Sequence, residues 1–124
     1  MYCIIIEKIM LSETTAPQKI LIVDDDRSVR LVLGTLLRKN GFVPLEASGG
    51  QEGISSLRSE HPRCVLLDLK MPGMDGIETL HALKKIDQFV PVIIITGYAD
   101  IPTAVQTIKL GAYDFLTKPP RWIN

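Results

Sequence analysis

Sulfur and imidazole chemistry are nearly absent from this chain. Its two cysteines, Cys3 and Cys64, are too far apart for a C-x-x-C metal site. Cys64 opens an apolar run and reads as a small buried hydrophobe. Without a disulfide framework, the default compartment is a reducing cytoplasm. His61 and His81 have no ligand spacing to each other. Excess charge of either sign is missing too: 14 Lys and Arg face 14 Asp and Glu. No net field therefore draws the chain to nucleic acid or an anionic membrane, and no direct nucleic-acid binding is expected. No apolar run approaches the roughly 18 residues of a membrane span. The YCIII patch near the start is too short for a signal h-region and has no basic stretch before it, so the expectation is a protein that is not exported. With 124 residues, 46% hydrophobic and 23% charged, the chain fits one compact domain with a real core and leaves no room for a second domain.

What the sequence does have is ILIVDDDR at 20–27, four apolar residues running into three consecutive carboxylates. Two carboxylates ~5 Å apart repel by roughly 3 kcal/mol at an effective dielectric of about 20. Solvent, a helix N-terminus or a cation has to offset that. From residue 19 onward, short apolar runs alternate with segments of helical period, the pattern of a parallel sheet covered on both faces. The runs are ILIV at 20–23, FVPLEA at 42–47, CVLLDL at 64–69, PVIIIT at 91–96 and YDFLT at 113–117. Between them, Val29, Val32, Leu33, Leu36 and Leu37 recur at helical spacing and stop at Asn40-Gly41. Ile77, Leu80, Leu83 and Ile86 form another stripe, and Val105, Ile108 and Leu110 a last one ending at Gly111. The segment 49–59 is the weakest helix, carrying Gly50, Gly53, Ser55 and Ser56, and is assigned because a parallel crossover needs one.

Pro44 removes a ladder donor, so the second strand belongs at an edge. ILIV and VIII are apolar throughout and should be buried on both faces. Right-handed crossovers then favour an α/β, doubly wound five-stranded parallel sheet in the order 2-1-3-4-5, flavodoxin-like, reversing direction between strands one and three. Ligands of such sheets bind at the strands' carboxyl ends beside the reversal. The residues expected there are Asp24, Asp25 and Asp26 after strand one, Asp68 after strand three, Thr96 after strand four and Lys118 after strand five. Strands lie ~4.8 Å apart, so the acids of strands one and three should meet. Such a cluster suits a hard cation such as Mg²⁺. Asp26 directly precedes a helix and is expected to cap it, as are Asp75 and Asp100.

In this order and on these elements, VDDD, LLDLKMPGMDG, IIIITGYAD and YDFLTKP resemble the response-regulator receiver family of two-component signalling, over residues 19 to about 119. The resemblance implies that Asp68 is the phospho-accepting carboxylate and Asp25 the direct Mg²⁺ ligand. Asp24 would hold a metal-bound water, and the Lys70 carbonyl would also ligate the metal. Thr96 would bind the phosphoryl group through its hydroxyl, and Lys118 would pair with it. Phe115 would be the buried aromatic that follows Thr96 when the loop moves inward. The Lys118–Pro119 bond is similar to one that is cis in the family. A carboxylate is a poor nucleophile toward an anionic donor until a metal and an ammonium neutralise the transferring group. Asp25, Mg²⁺ and Lys118 would supply that.

The same resemblance implies a sensor histidine kinase as donor, with acetyl phosphate as a small-molecule substitute. It also implies an output domain outside this chain, a homodimer, and no membrane partner. TGYADIPTAV and the KP ending are most like receivers of transcriptional activators. Receivers normally close with a fifth helix; with only 120–124 after the K-P step, that helix is expected to be missing here, leaving part of one sheet face for residues 1–11 or a neighbouring molecule to cover. Residues 1–18 read as an N-terminal extension, 19–119 as the receiver domain and 120–124 as a short tail. Two rivals are weaker. A haloacid-dehalogenase-like phosphatase, with Asp24 as nucleophile, needs a further acidic pair and a longer chain. A flavin-binding module would want a hydroxyl- and glycine-rich phosphate loop where this chain places carboxylates.

Overall fold

The five apolar runs become strands β1 (Gln18–Val23), β2 (Phe42–Ala47), β3 (Cys64–Leu67), β4 (Val92–Thr96) and β5 (Asp114–Thr117). Helices α1 (Arg27–Lys39), α2 (Gly50–Glu60), α3 (Gly76–Ile86) and α4 (Ile101–Lys109) alternate with them. This computed structural model describes residues 18–97 and 100–118. The extension, the 120–124 tail, the absent fifth helix and the Lys118–Pro119 bond were expectations that lie wholly or partly outside the described residues.

All four strand pairings are parallel and the order is β2-β1-β3-β4-β5, as the patterning implies. Pro44 sits on the edge strand, opposite Ile20, where a missing donor is tolerated. β3 and β4 are buried at every position. Four strands differ from expectation by one or two residues, β4 and β5 each starting one residue later, at Val92 and Asp114. β1 begins at Gln18, because Gln18 and Lys19 extend the edge ladder opposite Phe42 and Val43 without needing an apolar face. β3 ends at Leu67, so Asp68 stands just past the strand.

Side chains alternate across the sheet and define two cores. Leu21, Val23, Val65, Leu67, Val92 and Ile94 meet Leu57 of α2 and Leu80 and Leu83 of α3. Ile20, Ile22, Leu66, Ile93 and Ile95 face the other way, with Val29, Leu33 and Leu37 of α1. The helix starts are capped as expected. Asp26 accepts from the Ser28 amide at 2.8 Å, Asp75 from the Glu78 amide at 2.9 Å, and Asp100 from the Thr103 amide at 2.7 Å. Asp75 and Glu78 form a reciprocal capping box.

The glycines that weaken α2 have a packing reason. A Cβ on Gly53 would come 2.9 Å from a Val23 methyl, and one on Gly50 would collide with the Thr79 hydroxyl of α3. They let the helix approach β1 and α3 closely, which outweighs their poor propensity.

Candidate functional site

The two carboxylate-bearing loops are set by the ladder itself. Val23 pairs with Leu67, and the hydrogen bonding carries on one step beyond. The Asp68 amide donates to the Val23 carbonyl at 2.9 Å, and the Asp24 amide to the Ala47 carbonyl at 3.1 Å. Asp24, Asp25 and Asp68 each offer a carboxylate oxygen, and these oxygens lie within 4.8 Å of one another. Asp24 and Asp68 are buried, while Asp25 is exposed at the rim. Three carboxylate oxygens converging on one point, one side open to water, fit a hard divalent cation that takes oxygen ligands and retains waters.

Lys118 enters from β5. Its amide donates to the Thr96 carbonyl at 2.8 Å, which anchors the backbone. Its ammonium donates to Asp24 Oδ2 at 2.7 Å and lies 3.5 Å from Asp68 Oδ2. Its shortest contact is therefore to Asp24, a pairing that the sequence alone did not suggest. Burial would depress the Lys118 ammonium, but the hydrogen bond to Asp24 and the charges of Asp24 and Asp68 outweigh it and hold its pKa above the usual lysine value. Asp24 is also raised, an unusual direction for an ion-paired acid. Burial is the main cause; the Lys118 and Asp26 hydrogen bonds oppose it, and the Asp68 charge adds to it. One ammonium shared by two buried carboxylates leaves an unmet negative charge.

Arg30, on the first turn of α1, is the residue that sequence reasoning missed. Its guanidinium donates to the Asp24 carbonyl at 2.7 Å while its Nε donates to Glu46 on β2 at 3.0 Å. An arginine six residues after Asp24, with a glutamate near the end of the adjacent edge strand, was the available signal.

Thr96 closes β4, fully buried, in register with Thr117 of β5. Lys70 has an exposed side chain, and its amide lies 3.4 Å from Asp68 Oδ1. Phe115 is only partly buried, packed against the core on the α2 and α3 side, whereas the family resemblance suggested full burial. The short β5 lies at the sheet's other edge, where cover is thinner. Thus the structure gathers Asp24, Asp25, Asp68 and Lys118 in one site, with Thr96 bonded to it through the backbone. Cys64 belongs to none of this: burial pushes its thiol up to about 12.

The family model described as the response regulator receiver domain matches residues 20–122. The chain belongs to that family. Receiver relatives include the sporulation initiation phosphotransferase F of Bacillus subtilis, 40% identical over 82% of this chain and 82% of its own length. Regulatory protein AtoC of Escherichia coli is 40% identical over 85% of this chain. This chain spans only 23% of AtoC's length, so the activities of such longer relatives are not transferred whole. Among solved structures, a receiver domain from Clostridium thermocellum matches with TM-score 0.78 and 35% identity, covering 82% of each chain. The Borrelia burgdorferi complex titled CheX-CheY-BeF3-Mg+2 contains a chain that matches with TM-score 0.80 and 29% identity, over 83% of this chain and 79% of that one.

A receiver is a phosphoacceptor of two-component signalling, and this chain has that role. The phosphatase and flavin alternatives are set aside, since the family match covers most of the chain. Receivers bind Mg²⁺ at an acidic pocket, and this chain has a cluster of three aspartates. Two-component membership implies a histidine kinase partner. Among the described residues no helix is long and apolar enough to cross a membrane.

Proposed function

We propose that Asp68 is the phosphoryl acceptor, and that the carboxylates of Asp24, Asp25 and Asp68 with the Lys70 carbonyl hold Mg²⁺. The observation that carries this is the convergence of the three carboxylates on one point with the Lys118 ammonium between two of them. Mg²⁺ bound there would offset the negative charge on the phosphoryl oxygens. An Asp68 oxygen attacks phosphorus. The new P–O bond forms as the donor's P–N bond, in a kinase phosphohistidine, or P–O bond, in acetyl phosphate, breaks. The leaving nitrogen or oxygen keeps the electron pair. Lys118 turns from Asp24 toward the phosphoryl oxygens, whose negative charge favours the ammonium form. The Thr96 hydroxyl donates to a phosphoryl oxygen, and the partly buried Phe115 has room to follow.

The donor is a sensor histidine kinase in the cytoplasm. Output runs through a domain or partner that reads α4, whose Ile101, Val105 and Ile108 are exposed at helical spacing. Incubation with acetyl phosphate and Mg²⁺ should yield a hydroxylamine-labile adduct on Asp68 that Asp68→Asn abolishes. Labelling that survives the substitution would overturn the assignment.

A further inference from the structure

The chain is neutral overall, yet its charges are sorted by end. Every helix finishes on cations: Arg38 and Lys39 in α1, Arg58 in α2, Lys84 and Lys85 in α3, Lys109 in α4. Helix ends lead into strand starts, so these cations gather at the amino end of the sheet, with Lys19 of β1 and Arg63 just before β3. Among the described residues the acids at that end are Glu60, Asp87 and Asp114. The carboxyl end is the reverse. It holds the three clustered aspartates, the three cap aspartates, and Glu46, Glu52 and Glu78, against Arg27, Arg30, Lys70 and Lys118. Eight cations face three acids at one end, and nine acids face four cations at the other. Four helix macrodipoles of about half a charge each, positive toward the acidic end, offset about two charges of the excess at either end. Helix capping therefore explains part of the sorting, and a net charge of about three remains at each end.

Large apolar side chains are exposed at both ends as well. At the amino end, Phe89 before β4 is 83% exposed, and Tyr113, whose amide donates to the Val92 carbonyl, is 49% exposed. At the carboxyl end, Ile101, the first residue of α4, is 80% exposed. We infer that copies of this chain dock head to tail, the basic amino end of one on the acidic carboxyl end of the next. The two surfaces are ends of one five-stranded sheet, about 19 Å across at ~4.8 Å per strand spacing, so they match in extent as well as in sign. Lys19 is paired with Glu60 and Lys84 donates to the Val90 carbonyl, which leaves the exposed Lys85 and Lys109 as the cations that reach a neighbour's acids. Phe89 and Ile101 add an apolar contact beside the charges. An anionic polymer would answer the basic end alone; a second copy answers both ends through one contact. The contact is heterologous, so it repeats along a column instead of closing into a two-fold dimer. In a column, each cluster of Asp24, Asp25 and Asp68 lies under a neighbour's lysines, which answer the negative charge that Lys118 leaves unmet. On the acceptor reading above, this also shields Asp68 from a donor.

Sedimentation velocity on the full-length protein tests this with no phosphoryl chemistry in the readout. At about 10 mM ionic strength, where charges act over about 30 Å, the mean mass should climb with concentration past that of a dimer. At about 0.15 M, where the range is about 8 Å, association should be at least about tenfold weaker. Lys85→Glu with Lys109→Glu alters only the amino end, and Glu52→Lys with Glu78→Lys only the carboxyl end. Each double variant should stay monomeric alone, and an equal mixture should form one-to-one pairs, because each keeps one unaltered end. A monomer at every concentration, a closed dimer, or variants that remain inert when mixed overturns the proposal. So does binding of DNA or anionic vesicles that the amino-end variant loses while its self-association is unchanged. As a second measurement without substitutions, carbodiimide cross-linking of an isotope-mixed sample should join Lys85 or Lys109 of one copy to Glu52 or Glu78 of another. Links only between like ends, or none between copies, would also overturn it.

Discussion

The loop after β1 and the loop after β3 each deliver one buried aspartate to the same point, and they hold it differently. Asp24 is fixed on every side: Oδ1 accepts from the Asp26 amide at 2.9 Å, Oδ2 from Lys118 at 2.7 Å, and its carbonyl from Arg30 at 2.7 Å. Around Asp68 the corresponding distances are long, 3.4 Å to the Lys70 amide and 3.5 Å to Lys118. The backbone shows the opposite order. The Asp68 loop is wedged by Gly76, where an added Cβ would overlap the Leu69 Cα and approach the Asp68 carbonyl oxygen at 2.7 Å. A metal-holding acid needs a fixed head group; a nucleophile needs a fixed backbone and a head group that can still move. The roles proposed for Asp24 and Asp68 divide in the same way.

The comparison can be broken most severely at Gly76. Gly76→Ala should cost about 3 kcal/mol, since the methyl meets backbone that cannot swing aside, and should displace Asp68. Denaturant unfolding and the acetyl phosphate rate would both register it. Lys118→Met comes next, at about 2 kcal/mol, less than a fully buried pair because the ammonium is partly exposed. Calorimetry should show this loss largely recovered by Mg²⁺, because a divalent cation answers the same charge. Arg30→Ala should cost about 1 kcal/mol and weaken Mg²⁺ binding in titration calorimetry, with Arg30→Lys restoring only part, since lysine cannot serve the Asp24 carbonyl and Glu46 as a fork.

The smallest effect sharpens the comparison through pH. Asp24 has a folded-state pKa raised above 3.8, so its charge destabilises the metal-free fold above that raised value, and the penalty is relieved as pH falls through it. Asp24→Asn should therefore be the more stable protein near neutrality, with the gap closing toward about pH 4. Lys118 works the other way at the alkaline end. Its pKa is raised above 10.5, so its stabilisation is present below that and lost as pH rises through the folded value. Parallel urea titrations of both proteins across pH give the sign of each.

Strand order was legible because Pro44 and the uniformly apolar ILIV and VIII runs each constrain a place in the sheet. The caps at Asp26, Asp75 and Asp100 were legible because an N-cap is a local hydrogen bond. The reason for the glycines of α2 was not, because it lies in side chains of Val23, Thr79 and Met74 brought close only by folding. The acids were found from strand ends alone. Their unequal tethering, and Arg30's hold on Asp24, depend on contacts across six to 94 residues of chain, which periodicity does not record.

The interior strand β1 is made first and completed late. Its partners are Phe42–Ala47 on one side and Cys64–Leu67 on the other, so Ile20 must wait for Cys64. Every contact of this kind closes a long loop before it is rewarded, which slows the search for the native topology. During synthesis the two aspartates therefore cannot meet until both crossovers have left the ribosome. Assembly of the aspartate cluster and commitment of the sheet to its topology are then one event, and a nascent chain stalled before residue 64 would lack the cluster however well its first hairpin of helix and strands had formed.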